Sequence, residues 1–156
     1  MEDTLPPRAS RGRKILIVDD DVTSRTALGA VLQHFGFEYL LASDGAEGVN
    51  IFRDRRAEIC LVIADVSMPV KSGIQMFREI LEIDPRANVI LTSGYCLETI
   101  IPEDLQKLCK ALEKPFTASH LISTVSNCLR CEQEPENRGI DEAGFIDHEA
   151  FGQLSR

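Results

Sequence analysis

Short unbroken apolar runs alternate along this chain with longer stretches whose apolar residues recur every three or four positions. The runs are Lys14 to Val18, Phe37 to Ala42, Glu58 to Ala64, Asn88 to Thr92 and Ala111 to Glu113. Consecutive apolar positions over so few residues suit strands covered on both faces. Between the runs the period changes. Ala27, Leu28, Val31, Leu32 and Phe35 fall at helical spacing, with Asp21 placed to cap the segment and Gly36 to stop it. Asp44-Gly45 predicts a turn into a second helix carrying Ala46, Val49, Ile51 and Phe52. Ile74, Phe77, Ile80 and Leu81 make the inner face of a third, ended by Asp84-Pro85. Leu97 to Lys110 predicts a fourth helix, interrupted early by Pro102, and Thr117 caps a last one built on Leu121, Ile122, Val125 and Leu129.

Five strand–helix units joined by short loops predict an α/β fold, a doubly wound five-stranded parallel sheet with helices on both faces. Right-handed crossovers bring the C-terminal ends of all strands to one edge, and open sheets of this kind bind ligands there. Asp19, Asp20, Asp65, Ser93 and Lys114 each follow a strand, so they are expected to converge. Taken singly, each has a plain structural use as a cap, a turn residue or a solvated lysine. Taken together they carry chemistry. Crowded carboxylates repel one another and invite a cation. Mg²⁺ takes oxygen ligands and keeps several waters, so two or three carboxylates suffice to hold it. An Asp can be the nucleophile of a covalent phospho-intermediate, a Lys can balance phosphoryl charge, and a Ser hydroxyl can donate to a phosphoryl oxygen. Asp21 is left as the helix cap.

Composition narrows the partners. A formal charge of -8 argues against direct nucleic-acid binding, which needs an excess of Lys and Arg, and is compatible with a divalent cation or a basic protein surface. No apolar stretch approaches the length that spans a bilayer. The polar N-terminus lacks the apolar segment of a secretory signal, so a cytoplasmic location is expected. The five cysteines, Cys60, Cys96, Cys109, Cys128 and Cys131, read as free thiols acting as small hydrophobes, since a single C-x-x-C supplies only half a zinc site. The basic cluster Arg53, Arg55 and Arg56 reads as a solvated helix end.

Four motifs in order give the chain a specific resemblance. Ile15-Leu16-Ile17-Val18-Asp19-Asp20-Asp21, Asp65-Val66-Ser67-Met68-Pro69 followed by Gly73, Thr92-Ser93-Gly94-Tyr95 and Lys114-Pro115-Phe116 together resemble a bacterial two-component response regulator receiver domain, similar to the chemotaxis regulators. The resemblance runs from about Lys14 to Arg130. It implies the flavodoxin-like receiver fold, with 1–13 as a flexible tail, 14–130 as the receiver domain and 131–156 as a linker or tail with room for one short helix. It implies that Asp65 is the phosphoacceptor and that Asp19, Asp20, Asp65 and the backbone carbonyl of Ser67 hold Mg²⁺. Ser93 would be the switch hydroxyl, and Lys114 the phosphoryl-binding lysine before a cis Lys-Pro bond. The implied partners are a sensor histidine kinase or phosphotransfer protein and an unidentified downstream protein, with no nucleic acid and no membrane. The module would assist only its own phosphorylation and dephosphorylation and would not be an enzyme in the usual sense.

Two departures from the family pattern stand out. Ala111 occupies the strand position, three residues before Lys114, where receivers commonly carry a Tyr or Phe, and Glu103 to Lys110 lacks the common glycine-containing turn. Tyr95 is bulky beside the expected phosphoryl site, which predicts a long-lived phospho-form. Other readings of the acid edge are an aspartyl-phosphate phosphatase, a flavin carrier, a receiver module of a hybrid histidine kinase and a degenerate receiver. A phosphatase usually places a second Asp where Ser67 stands, and a flavin site wants a Ser-, Thr- or Gly-rich loop after the first strand. Phe145 to Phe151 has some helical periodicity and faintly resembles the start of a phosphotransfer domain, but His148 reads as a surface residue.

Overall fold

The computed structural model describes residues 12–106 and 110–131. Five strands, β1 (Lys14–Val18), β2 (Glu38–Ala42), β3 (Ile59–Asp65), β4 (Val89–Ser93) and β5 (Lys110–Glu113), form one parallel sheet in the order β2-β1-β3-β4-β5. Three long helices, α1 (Val22–His34), α2 (Gly45–Arg55) and α3 (Gly73–Ile83), connect the first four strands. Two one-turn helices, α4 (Leu97–Ile100) and α5 (Glu103–Gln106), precede β5, and α6 (Ala118–Cys131) follows it.

Alternation along the strands builds two cores. Ile15, Ile17, Leu61, Ile63, Ile90 and Leu112 pack with α1 and α6, while Leu16, Val18, Val62, Ala64 and Leu91 pack with α2 and α3. A strand covered on both sides has no polar face, which is why the apolar runs are continuous.

The caps act as their residue types require. Asp21 accepts hydrogen bonds from the Thr23 and Ser24 backbone amides, and Thr117 accepts from His120 N. Gly36 takes φ +85°, the left-handed conformation expected after α1. Asp44 caps α2 directly by accepting from Glu47 N, so the expected turn is the helix start itself.

Two expectations need correction. The helix predicted over Leu97 to Lys110 is broken: it is two single turns, and Lys110 belongs to β5. Pro102 has no amide hydrogen and its ring obstructs the preceding turn, so a continuous helix cannot pass through it. Leu97, Ile101 and Leu105 recur at four-residue spacing and all reach the α2/α3 core, so the periodicity survives the break in the backbone. Arg56 is not simply solvated; its Nη1 donates to Ile83 O at 3.3 Å, and its Nε lies 3.6 Å from Asp84 Oδ2.

Cys60 and Cys128 are buried free thiols, and Cys96 is exposed. Cys109 and the candidate helix near Phe145 to Phe151, with His148, lie outside the described residues, as do residues 1–11.

Candidate functional site

The strand order runs outward in both directions from β1 and β3, so their two connections leave to opposite sides and open a crevice between their C-terminal ends. Val18 pairs with Ala64 across that boundary, which sets Asp19 level with Asp65. Asp65 pairs in turn with Thr92, and Ser93 with Glu113, the residue before Lys114. Parallel register therefore lines up the candidate residues along one edge. Asp65 and Ser93 are the last residues of their strands, so β3 and β4 each run one residue further than the hydrophobic pattern suggested.

Asp19, Asp20 and Asp65 each offer a carboxylate oxygen, and the three lie within 4.8 Å of one another. Asp19 is buried. Its Oδ1 accepts from Asp21 N at 2.9 Å, while Oδ2 is buried without a hydrogen-bond partner. Lys114 Nζ lies 3.6 Å from Asp19 Oδ2 and 3.6 Å from Asp65 Oδ2. That is beyond hydrogen-bond reach but close enough for strong charge attraction. Burial raises the Asp65 carboxyl above the ordinary Asp range, with the Asp19 and Asp20 charges adding to it; Lys114 and the Ser67 amide oppose the shift. A single ammonium facing three carboxylates leaves net negative charge in a half-buried crevice. The donor set, all oxygen with one orphaned buried carboxylate atom, fits a hard divalent cation.

Ser93 is buried, and its Oγ accepts from Tyr95 N at 3.0 Å. Its backbone carbonyl accepts from Lys114 N at 2.7 Å, and the Lys114–Pro115 bond is cis. Ser67 is exposed, with its amide donating to Asp65 Oδ1 at 3.3 Å. Tyr95 is 70% exposed, and Ala111 is exposed on β5.

Arg25 was not singled out in the sequence, and Gly73, Gly45 and Val66, named there only within motifs, also shape the site. Arg25 Nη1 donates to Asp19 O at 2.6 Å, tying α1 to the end of β1. Its position one turn after the Asp21 cap, at i+4, is the signal that could have revealed it. Gly73 begins α3 against the site, where a Cβ would come 2.3 Å from Asp65 O. Gly45 plays a similar part, since a Cβ there would meet Lys71 O at 2.6 Å. Val66 N donates to Thr92 O at 2.9 Å, locking the loop after Asp65 to β4.

Comparison with known proteins agrees with this fold. The family model of the response regulator receiver domain matches residues 15–126. Protein CcdB of Bacillus subtilis is 30% identical over 120 residues, covering 74% of this chain and 97% of its own. Chemotaxis protein CheY of Thermotoga maritima is 30% identical over 117 residues, covering 74% and 96%. A response regulator receiver domain protein from Clostridium thermocellum superimposes with a TM-score of 0.73 at 32% identity, over 78% of this chain and 97% of that one. A CheX–CheY–BeF3–Mg²⁺ complex from Borrelia burgdorferi gives a TM-score of 0.70 at 28% identity, over 76% and 96%. No helix among the described residues is long and apolar enough to cross a membrane. Family match, strand order and acid-edged crevice coincide: the chain belongs to the response regulator receiver domains, the signalling modules of bacterial two-component systems.

Proposed function

We propose that the chain is a phosphorylation-controlled switch in which Asp65 accepts a phosphoryl group from the phosphohistidine of a sensor kinase or phosphotransfer protein. The observation that carries this reading is Lys114 Nζ at 3.6 Å from both Asp19 and Asp65, within a cluster of three carboxylates. An Asp65 carboxylate oxygen attacks phosphorus, the phosphorus–nitrogen bond to the donor imidazole breaks, and the imidazole leaves with the bonding pair and takes up a proton. Asp19, Asp20, Asp65 and the Ser67 carbonyl would hold Mg²⁺, which when bound neutralises the crowded carboxylates and the incoming phosphoryl oxygens.

The chain's own groups supply the rest. Lys114 balances charge on the transferred group. Ser93 exchanges its bond from Tyr95 N for donation to a phosphoryl oxygen, which moves the β4–α4 loop and changes the surface offered to a downstream protein. The Borrelia complex, in which a related CheY occurs with BeF3, Mg²⁺ and a protein partner, supports both the cation and a protein output.

The test is direct. Incubation with Mg²⁺ and acetyl phosphate should give a species heavier by one phosphoryl group, lost with Asp65→Asn and with chelation of the metal. Wild-type protein that neither binds Mg²⁺ nor gains mass would remove the proposal.

A further inference from the structure

Asp20 is the least secured member of the acid cluster. It is exposed, and among the described residues no hydrogen bond holds its carboxylate, whereas Asp19 is buried. A loose carboxylate samples several rotamers, yet Mg²⁺ demands oxygen ligands in narrowly defined places. The restraint comes from the main chain on either side. A peptide unit is a rigid plane, so tethering its oxygen or nitrogen restrains the direction in which the next residue leaves. The plane joining Asp19 to Asp20 is held at its oxygen, which accepts from Arg25 Nη1 at 2.6 Å. The plane joining Asp20 to Asp21 is held at its nitrogen, which donates to Asp19 Oδ1 at 2.9 Å. Asp19 is anchored in turn by its amide, which donates to Ala42 O at 3.2 Å. In this set only Arg25 contributes a side chain from outside the cluster.

A neutral amide or hydroxyl could satisfy one carbonyl. A guanidinium instead brings positive charge to the end of β1, where a cation is to bind, and repulsion alone would weaken that binding. What it adds is geometry, because its donors form a planar, fixed fork. Arg25 is also drawn from a second side. Glu47 in α2 accepts from Ser43 N and from Ser43 Oγ, both at 2.7 Å. Those bonds hold the Glu47 carboxyl below the usual carboxylate range, and the Arg25 charge lowers it further. Arg25 is thus attracted to an anchored carboxylate while it donates to Asp19 O. We propose that Arg25 is the positioning residue of the cation site, fixing the Asp19–Asp20 peptide so that the exposed Asp20 carboxylate faces its two neighbours. This inference rests on the Mg²⁺ reading given above.

Calorimetric titration of the full chain with Mg²⁺, joined to amide hydrogen exchange in EDTA, tests the proposal. Charge and position predict opposite signs. Acting through charge alone, Arg25 would oppose the cation, and Arg25→Met would tighten Mg²⁺ binding. As a positioning residue its loss should weaken binding by about tenfold. In EDTA the Asp21 amide should exchange about tenfold faster in the variant, with the Leu28 amide of α1 unchanged. A merely structural role would speed both amides together. Arg25→Gln, neutral and too short to keep the bond, should behave alike and covers the case in which Arg25→Met fails to fold. Wild-type protein that binds no Mg²⁺ would overturn this inference together with the phosphoacceptor reading. Wild-type binding with unchanged or tighter binding in the folded variants would overturn this inference alone. Equal acceleration of the two amides, or failure of both variants to fold, would do the same.

Discussion

The elements flanking β1 and β3 and those between β4 and β5 are held in contrasting ways. α1, α2 and α3 span 13, 11 and 11 residues, and each begins on a side-chain cap. In α3 the Ser72 and Gln75 side chains and backbones cap each other reciprocally. α4 and α5 are four residues each, separated by Pro102, and α4 starts at Cys96 with no side-chain cap bond. The carboxylates stand on the first region, and Ser93 is the last strand residue before the second. Precise placement of the acids calls for rigidity, whereas the exchange of partners proposed for the Ser93 hydroxyl needs a neighbour that can move.

Core truncation should test that contrast most severely. Phe77 in α3 is fully buried, and Phe77→Ala should cost about 3–5 kcal/mol in denaturant unfolding. Leu105→Ala in α5, also buried, should cost less, near the lower end of about 2–5 kcal/mol, because a one-turn element can settle into the gap. Equal losses would erase the distinction.

Gly73→Ala comes next. With Asp65 O only 2.3 Å from the new Cβ, α3 must shift, at about 1–3 kcal/mol of stability and a measurable loss of Mg²⁺ affinity. Gly94, in the loop after Ser93, has nothing within 4 Å of a Cβ, so Gly94→Ala should alter neither measurement appreciably.

The Asp65 carboxyl offers a smaller effect with a definite sign. Its folded-state pKa lies above that of the unfolded chain, so the folded form holds extra protons between the two values. Without divalent cation, the contribution of Asp65 to stability is fully present below the unfolded value and falls as pH rises through the folded one. Asp65→Asn should therefore raise the melting temperature at neutral pH and flatten this part of the profile; a lowered melting temperature would contradict it. The mildest change concerns Tyr95, whose ring is 70% exposed. Tyr95→Ala should speed loss of the phosphoryl group several-fold by admitting water, as followed by decay of the phosphorylated mass, and an unchanged rate would end that idea.

Much of the first region could be read in the sequence because local signals agreed there with tertiary ones. Asp21, Gly36 and Asp44 marked helix ends, and the continuous apolar runs marked β1 and β3. Between β4 and β5 the signals conflicted. Leu97, Ile101 and Leu105 kept a helical period, while Pro102 forbade a continuous helix, and periodicity describes which side is buried without describing the backbone. The carboxylates were foreseeable from their places after apolar runs. The hydrogen bond from Arg25 to Asp19 O and the approach of Gly73 to Asp65 depend on how helices lie across the sheet, and strand–helix alternation does not specify that.

The alignment of Asp19, Asp65, Thr92 and Ser93 through parallel pairing bears on how the gene can change. One codon inserted within β3 would carry Asp65 a step of about 3.3 Å along the sheet and turn its side chain to the other face. The same insertion in the turn at Arg56–Glu58, on the far edge, would leave the acid cluster intact. Length variation between homologues should therefore collect where strands begin and be purged where they end, so the pattern of gaps in an alignment would itself trace the edge proposed to do the chemistry.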